Sequence, residues 1–210
     1  MSNILNLLKA LGAIIEGDHF VYTSGKHGVV YINKDALYPH TAKTSEVGKM
    51  FAEAVVDAEV DVDVVVGPAL GGIILSQWTA YHLSQMLGKE VLSVYTEKDQ
   101  NKSQIFTRNY DKIVAEKRVL VVEDIVTTAG SIIKTINAVK LAGGIVVGAG
   151  AMVNRNPSIT DDYIGTRFFA LATLPAEAWD EHEMPDWLKT RPVNTNFGHG
   201  KKYLQDKGLL

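Results

Sequence analysis

Five short apolar runs, at residues 62–66, 91–95, 119–122, 145–153 and 168–172, punctuate the chain. A nearly continuous apolar run bounded by glycine and polar residues fits a strand buried on both faces. Helical patterns over residues 73–87 and from Gly130 to about Ala142 lie between them. Strands alternating with helices of about 10–15 residues make βαβ units, whose strands must be parallel. Right-handed crossovers then place helices on both faces of the sheet. The expected fold class is therefore α/β, with a parallel core sheet flanked by helices.

The flanking segments follow other rules. Leu5, Leu8 and Leu11 recur at helical spacing, so a first helix is expected from residue 3 to about 11, with Gly12 as its stop. Residues 20–23 and 29–33 read as two strands joined by Ser24-Gly25-Lys26-His27-Gly28, a turn with two glycines. Val47, Met50, Phe51, Ala54 and Val55 form one apolar stripe on a helix expected over residues 44–57. Residues 96–117 interrupt the βαβ rhythm with nine charged side chains. The usual connection in α/β units is about 2–6 residues, so this insertion is expected to be a hairpin or a functional lid. From Pro175 onward, Trp179, Pro185, Trp187 and Pro192 stand in a segment without periodicity, expected to be an irregular cap. The whole chain is expected to form one domain: residues 1–40 as an N-terminal segment, 41–174 as core and 175–210 as cap.

Composition narrows the function. With 210 residues, 46% of them hydrophobic, the chain can bury a sizeable core. It lacks a run of about 18 apolar residues, so no membrane span is expected. The first fifteen residues have neither a basic start nor a small-residue cleavage site, so a secretory signal is not expected either. With no cysteine, disulfides, thiolate catalysis and cysteine-bound zinc are excluded, and a cytoplasmic location fits. A net charge of −3 argues against a broad nucleic-acid surface but leaves room for a local anion pocket. His182 and His199 match no zinc-ligand spacing.

The sharpest chemical signal is Val119-Leu120-Val121-Val122-Glu123-Asp124-Ile125-Val126-Thr127-Thr128-Ala129-Gly130-Ser131. A buried strand runs into two adjacent acids, then into small and hydroxyl residues that open a helix. Ligands of open α/β sheets bind beyond the carboxyl ends of the strands. The turn offers amide N–H groups, three hydroxyls and a helix N-terminus, which suit a phosphate monoester. The carboxylates repel that phosphate but can accept hydrogen bonds from vicinal hydroxyls, so the loop as a whole fits a ribose phosphate. An ordinary turn with an acidic cap is the bland alternative, and it leaves the second acid and the cradle unexplained. A second element, Val66-Gly67-Pro68-Ala69-Leu70-Gly71-Gly72, is a glycine-rich turn after a strand that lets backbone approach a ligand closely.

The first element resembles the phosphoribosyl-diphosphate (PRPP) motif of type I phosphoribosyltransferases. The resemblance gives Glu123 and Asp124 the ribose hydroxyls, and gives Thr127, Thr128, Ala129, Gly130 and Ser131 the 5′-phosphate. Glu123 stands where aspartate is frequent in the family, and Ala129 where many members have glycine. Leu70, Gly71 and Gly72 are similar to the family's pyrophosphate loop.

The N-terminal hairpin resembles the hood of orotate phosphoribosyltransferases, with Ser24-Gly25-Lys26-His27 and then Tyr31-Ile32-Asn33. Gly28 stands where members often carry serine. Asn154-Arg155 is similar to their Asp-Arg pair, whose arginine faces the orotate carboxylate; a guanidinium can bind that group bidentately. Glu97-Lys98 and Phe106-Thr107-Arg108-Asn109-Tyr110 resemble one branch of the family.

The resemblance implies transfer of phosphoribosyl from PRPP to orotate, giving orotidine monophosphate and pyrophosphate. Lys98, Arg108 and Asp124 would be catalytic. Lys26, Tyr31, Ile32, Thr127 and Arg155 would bind orotate, and Lys98 would also touch PRPP. Mg²⁺ would be the cofactor, held mainly by PRPP, and a homodimer the assembly, with neither nucleic acid nor membrane as partner. Two rivals share the core: a purine-type phosphoribosyltransferase, and a PRPP-sensing regulator, which would favour a DNA-binding helix pair or a basic face.

Overall fold

The computed structural model describes residues 3–210. In chain order the elements are α1 (Asn3–Ala10), β1 (Ile14–Val21), β2 (His27–Ile32), α2 (Thr41–Asp57), β3 (Val64–Pro68), α3 (Gly71–Leu87), β4 (Leu92–Lys98), β5 (Gln104–Ile105), α4 (Tyr110–Val114), β6 (Arg118–Val126), α5 (Gly130–Leu141), β7 (Ile145–Asn154), α6 (Asp161–Ile164), β8 (Phe168–Thr173), β9 (Ala178–Trp179), α7 (Asp186–Lys189) and α8 (Gly200–Asp206). They divide into two compact units, one of residues Asn3–Leu37 with Pro175–Leu210, the other of Tyr38–Leu174. Among the described residues, no helix is long and apolar enough to cross a membrane.

The larger unit holds a six-stranded sheet in the order β5-β4-β3-β6-β7-β8. The five strands from β4 to β8 are parallel, and only β5 runs antiparallel, paired with β4. Strand order reverses between β3 and β6, the pair at which an α/β sheet opens a crevice for ligand. Side chains alternate across the sheet. Val64, Val66, Val119 and Val121 enter one cluster with Ile132, Ile136 and Val139 of α5. On the opposite face α2 and α3 lie close together, because Gly48 leaves room for Trp78: a Cβ at 48 would stand 2.5 Å from the Trp78 Cβ. Phe51 of α2 fills the space over Gly150 of β7 in the same way, with 2.8 Å to a would-be Cβ.

Two strands that bear the chemical motifs run longer than the sequence expectation. Strand β3 continues through Gly67 and Pro68, because those residues pair with Tyr95 and Thr96 of β4. Strand β6 runs to Val126, so Glu123 and Asp124 lie inside it and not after it; β7 supplies the pairing, Glu123 opposite Ala151 and Val126 opposite Asn154. The insertion at 96–117 is a hairpin, β4 turning into β5, followed by the short α4. At the amino ends of the strands Arg118 grips Asp63, donating from Nε to Oδ2 at 2.8 Å and from Nη2 to Oδ1 at 2.8 Å. Lys89 bridges Asp61 and Asp63. The Arg118 and Lys89 hydrogen bonds hold the Asp63 carboxyl well below the usual carboxylate range.

The smaller unit is built on a three-stranded sheet, β1-β2-β9. Strand β1 starts at Ile14, six residues before the expected start at 20, and its register with β2 shifts between Glu16 and Phe20. An irregularity of that kind breaks the period-2 pattern by which strands are recognised in sequence. The C-terminal segment is more ordered than expected. Its β9 pairs with β2, Trp179 packs edge-on against Trp187, and His199 N–H donates to the Val21 carbonyl at 2.8 Å.

Two buried histidines tie this unit together. His19 and His27 share a hydrogen bond of 2.8 Å between Nε2 and Nδ1, and His19 Nδ1 lies 3.0 Å from the Arg191 carbonyl. A carbonyl only accepts, so His19 carries its proton on Nδ1, and the neutral pair requires His27 Nδ1–H to donate to His19 Nε2. His27 Nε2 is then a bare nitrogen, buried against the Tyr203 ring and, among the described residues, without a hydrogen-bond partner. Burial first, and the neighbouring His19 second, push the His27 pKa below the ordinary imidazole value. Lys207 lowers it further and Glu181 opposes.

The folded pKa is depressed, so the unfolded chain binds more protons just below about pH 6.5, and stability is lost as pH falls through that region. Each unit of depression corresponds to about 1.4 kcal/mol. Protection of the β1 and β2 amides, taken relative to intrinsic exchange at each pH, is expected to fall as the pH drops below about 6.5. His27→Gln, which keeps a donor for His19 without a titrating ring, should flatten that dependence; equal slopes in both proteins would remove His27 as its source.

Candidate active site

Both chemical motifs leave the carboxyl ends of neighbouring strands. Val64, Val65 and Val66 of β3 pair with Val119, Leu120 and Val121 of β6, which sets the loop after β3 beside the loop after β6. Glu123 and Asp124 are 8% and 4% exposed, so the sheet buries two adjacent carboxylates. Buried charge demands hydrogen-bond partners. Asp124 Oδ1 accepts from Ile125 N–H at 2.6 Å, and its Oδ2 accepts from the Tyr38 hydroxyl at 3.0 Å. Glu123 Oε1 accepts from the Asp124 N–H at 3.2 Å.

Beyond the acids the chain turns at Ala129, whose φ of 59° is left-handed, and α5 begins at Gly130. No side chain caps this helix, so its first N–H groups remain available to an anion. Glu123, Ile125 and the residues from Val126 to Ile132 line a hollow of about 190 Å³. Thr127, Thr128 and Gly130 are exposed at it and Ser131 is half-buried. Left-handed backbone costs a non-glycine residue on the order of 1–2 kcal/mol. At Ala129 the methyl is 3% exposed and belongs to the cluster of Ile132 and Ile136, so its burial offsets part of that cost.

The glycines after β3 are set by close approach. A Cβ at Gly67 would lie 2.0 Å from the Gly72 carbonyl oxygen, and one at Gly72 would lie 2.6 Å from Pro68 Cδ. At Gly71 the space is taken by the other loop: a Cβ would lie 1.7 Å from Asp124 Oδ2 and 2.6 Å from the Tyr38 hydroxyl. The turn at 70–72 therefore lies against Asp124. Leu70 is 81% exposed and precedes a 17-residue helix that also lacks a side-chain cap.

Arg155 follows β7 and donates its N–H to the Val126 carbonyl at 2.7 Å, which brings it to the same end of the sheet. Asn154, at the place of the family's usual acid, is buried. Its Nδ2 donates to Ile159 O at 3.1 Å, while its Oδ1 accepts from Asn156 N–H at 3.0 Å. A carboxylate there could accept but not donate, so the amide suits the loop better than an acid would.

The hairpin carries Lys98 and Arg108 in different states. Lys98 ends β4 opposite Gln104, exposed, and among the described residues it enters no ion pair. Arg108 is directed to Glu97 at 3.4 Å, and Glu97 also accepts from the Thr107 hydroxyl at 2.5 Å. The Thr107 bond and then Arg108 hold the Glu97 carboxyl below its ordinary pKa. The base of the hairpin is buried: Thr96 Oγ1 donates to Gln104 Oε1 at 2.9 Å and lies 3.5 Å from Thr135 Oγ1 of α5. The Ala69 N–H donates to the Thr96 carbonyl at 2.9 Å, which links the hairpin to the glycine turn.

In the smaller unit Lys26 pairs with Asp180 at 3.0 Å. Tyr31 packs between Phe20 and Phe197, with ring centroids 5.4 and 5.8 Å away. The Ile32 side chain is only 5% exposed, which leaves its backbone as the polar part. The glycine at 28 has a physical reason: a Cβ there would stand 2.3 Å from the Tyr22 hydroxyl, which donates to Val30 O at 2.6 Å. Sequence reasoning missed Tyr38, Thr96, Gln104 and Thr135. The only signal for any of them is that a buried threonine and glutamine sit in an otherwise charged insertion.

The chain from residue 33 to 174 matches the phosphoribosyl transferase domain family. Over 192 residues, 91% of this chain and 94% of the relative, it is 36% identical to the orotate phosphoribosyltransferase of Brucella anthropi. The crystal structure of orotate phosphoribosyltransferase from Aeropyrum pernix matches with a TM-score of 0.62 at 25% identity, covering 81% of this chain and 93% of that one. The Mycobacterium tuberculosis orotate phosphoribosyltransferase in complex with 5-phospho-α-D-ribosyl 1-diphosphate matches with the same TM-score, 0.62, at 23% identity over 81% of this chain and 94% of that one. The sheet order, the buried diacid with its uncapped helix and these likenesses agree, and the chain belongs to the phosphoribosyltransferase family, among its orotate phosphoribosyltransferases.

Proposed function

We propose that the protein transfers the phosphoribosyl group of PRPP to orotate, forming orotidine 5′-monophosphate and pyrophosphate in pyrimidine nucleotide synthesis. One observation carries the reading: two turns rich in backbone donors meet at the β3–β6 switch point, with a buried pair of carboxylates against them. The amides and hydroxyls of residues 127–131 are assigned the 5′-phosphate, and Glu123 and Asp124 the ribose hydroxyls. Leu70, Gly71 and Gly72 are assigned the pyrophosphate. Within the larger unit, Thr127 and Arg155 are assigned to orotate.

The reaction breaks the bond from the ribose anomeric carbon to pyrophosphate, which departs with the electron pair, and forms a bond to a ring nitrogen of orotate, which gives up its proton. The ribose gains positive character while pyrophosphate gains negative charge. Positioned donors and cations are what such a transition state needs from protein. Lys98 is assigned to the departing pyrophosphate because its ammonium is exposed and outside the ion pairs of the described residues. Arg108 can act similarly only after it leaves Glu97.

Mg²⁺ suits this donor set. The phosphate turns supply N–H and O–H groups, which cannot ligate a cation, and Glu123 and Asp124 supply hard oxygens beside them. A cation there would be held by PRPP oxygens near these two carboxylates. When bound, it neutralises charge on the pyrophosphate. A homodimer in the cytoplasm completes the proposal, carried over from the family.

Three outcomes test it. Pyrophosphate release from PRPP is expected with orotate and not with adenine, guanine or xanthine; release with a purine alone would reassign the acceptor, and release with none would end the catalytic reading. Lys98→Ala is expected to lower kcat by about 10²–10³, the scale for loss of one transition-state donor, and near-normal turnover would take Lys98 out of the mechanism. Gly71→Ala puts a methyl onto Asp124 and Tyr38, so PRPP affinity measured calorimetrically should fall at least about 10-fold. A Gly71→Ala protein that binds PRPP normally would contradict the placement of the glycine turn.

A further inference from the structure

We infer that Gln104 is a positioning residue for the transfer, pinning the register of the hairpin so that Lys98 is presented toward α5; the inference rests on the role proposed for Lys98. Along β4 the pairing with β3 ends at Thr96, so Lys98 lies beyond the support of the parallel sheet. Its backbone is held by β5, with Glu97 opposite Ile105 and Lys98 opposite Gln104. A slip of one residue in so short a strand would turn Gln104 outward and Ile105 inward. Apolar burial alone favours that slip, since Ile105 is 40% exposed and Gln104 only 5%. The observed register keeps the buried Thr96 hydroxyl donating to Gln104 Oε1 at 2.9 Å. A satisfied buried polar pair of this kind specifies one arrangement over its competitor.

The same pair sets which way the cation faces. Val94 belongs to the cluster of Ile132 and Ile136 of α5, and Thr96 Oγ1 lies 3.5 Å from Thr135 Oγ1. Side chains alternate along a strand and match across a pair, so Lys98 and Gln104 share that face. Glu97 takes the other face, where it meets Thr107 and Arg108. Both turns assigned to PRPP are tied to this point. The Thr96 carbonyl accepts from the Ala69 N–H at 2.9 Å, and the Thr135 hydroxyl donates to the Ser131 carbonyl at 3.0 Å, in the first turn of α5. At the tip, Asp99 Oδ1 accepts from the Asn101 and Ser103 N–H groups, and Lys134 of α5 donates to the Lys102 carbonyl at 2.8 Å. The root of Lys98 is thereby fixed relative to both turns.

The test is a cycle of Gln104→Leu, Lys98→Ala and the double variant, reading kcat and the KM for orotate. Gln104→Leu keeps a buried side chain of similar size and removes the acceptor. It is expected to lower kcat at least about 10-fold with the orotate KM unchanged, within the roughly 10²-fold that a misplacement of about 1 Å can cost. In the Lys98→Ala background the same change should cost less than about 2-fold, since a residue acting through Lys98 has nothing further to lose. Thr96→Val removes the same hydrogen bond from the donor side and should reproduce both results; it decides the matter if Gln104→Leu does not fold. Normal kcat in either variant, with Lys98→Ala impaired, overturns the inference and leaves the role of Lys98 standing. Equal losses in both backgrounds, a raised orotate KM, or failure of both variants to fold also overturn it, because the pair would then serve the fold at large. Normal turnover in Lys98→Ala would instead overturn the role of Lys98 itself, and the inference with it.

Discussion

The parallel pairing of β3 with β6 is the contact on which the larger unit is organised. Val64, Val65 and Val66 meet Val119, Leu120 and Val121 in a register that leaves both strands ending at the same level. Neighbours on either side then depart in opposite directions, β4 from β3 and β7 from β6. Helices α3 and α5 start where the two strands stop, and neither start is closed by a side chain of its own. Polar backbone left open in this way would be a defect in a purely structural turn. Here the open start of α5 borders a hollow that Glu123 also lines, and the glycine turn before α3 lies against Asp124.

Much of this was legible in the residues because the signals were local. The apolar runs marked β3, β4, β6, β7 and β8, and the diacid followed by hydroxyls and glycine marked the turn after β6. What stayed hidden depends on partners distant in sequence. The extension of β6 over Glu123 and Asp124 needs the edge of β7, and no pattern within 118–126 announces it. The early start of β1 is masked by the register shift near Gly17, and β9 is two residues long. Tyr38 reaches Asp124 across 86 positions of chain, a separation at which a single sequence carries no signal.

The departures from the family's motifs share one explanation, compensation by a neighbour. Gly28 loses a serine side chain where the Tyr22 ring fills the space. Ala129 keeps a methyl in a left-handed turn where that methyl is buried. Asn154 exchanges an acid for an amide where the loop needs a donor as well as an acceptor. Each change is readable as a substitution from sequence, but the local packing that accommodates it is readable only from the structure.

The cluster of Asp61, Asp63, Lys89 and Arg118 sits at the amino ends of the same strands, half exposed, with each charge matched by its opposite. At this rim, opposite charges meet one another directly. Added salt screens the matched rim and weakens what is already a modest contribution from surface pairs. At the other rim, where the substrate's 5′-phosphate is proposed to sit, the same ions would compete with it. Ionic strength should accordingly act on occupancy more than on folding, and polyvalent anions such as sulfate or phosphate should act there as ligands and not merely as a screening atmosphere.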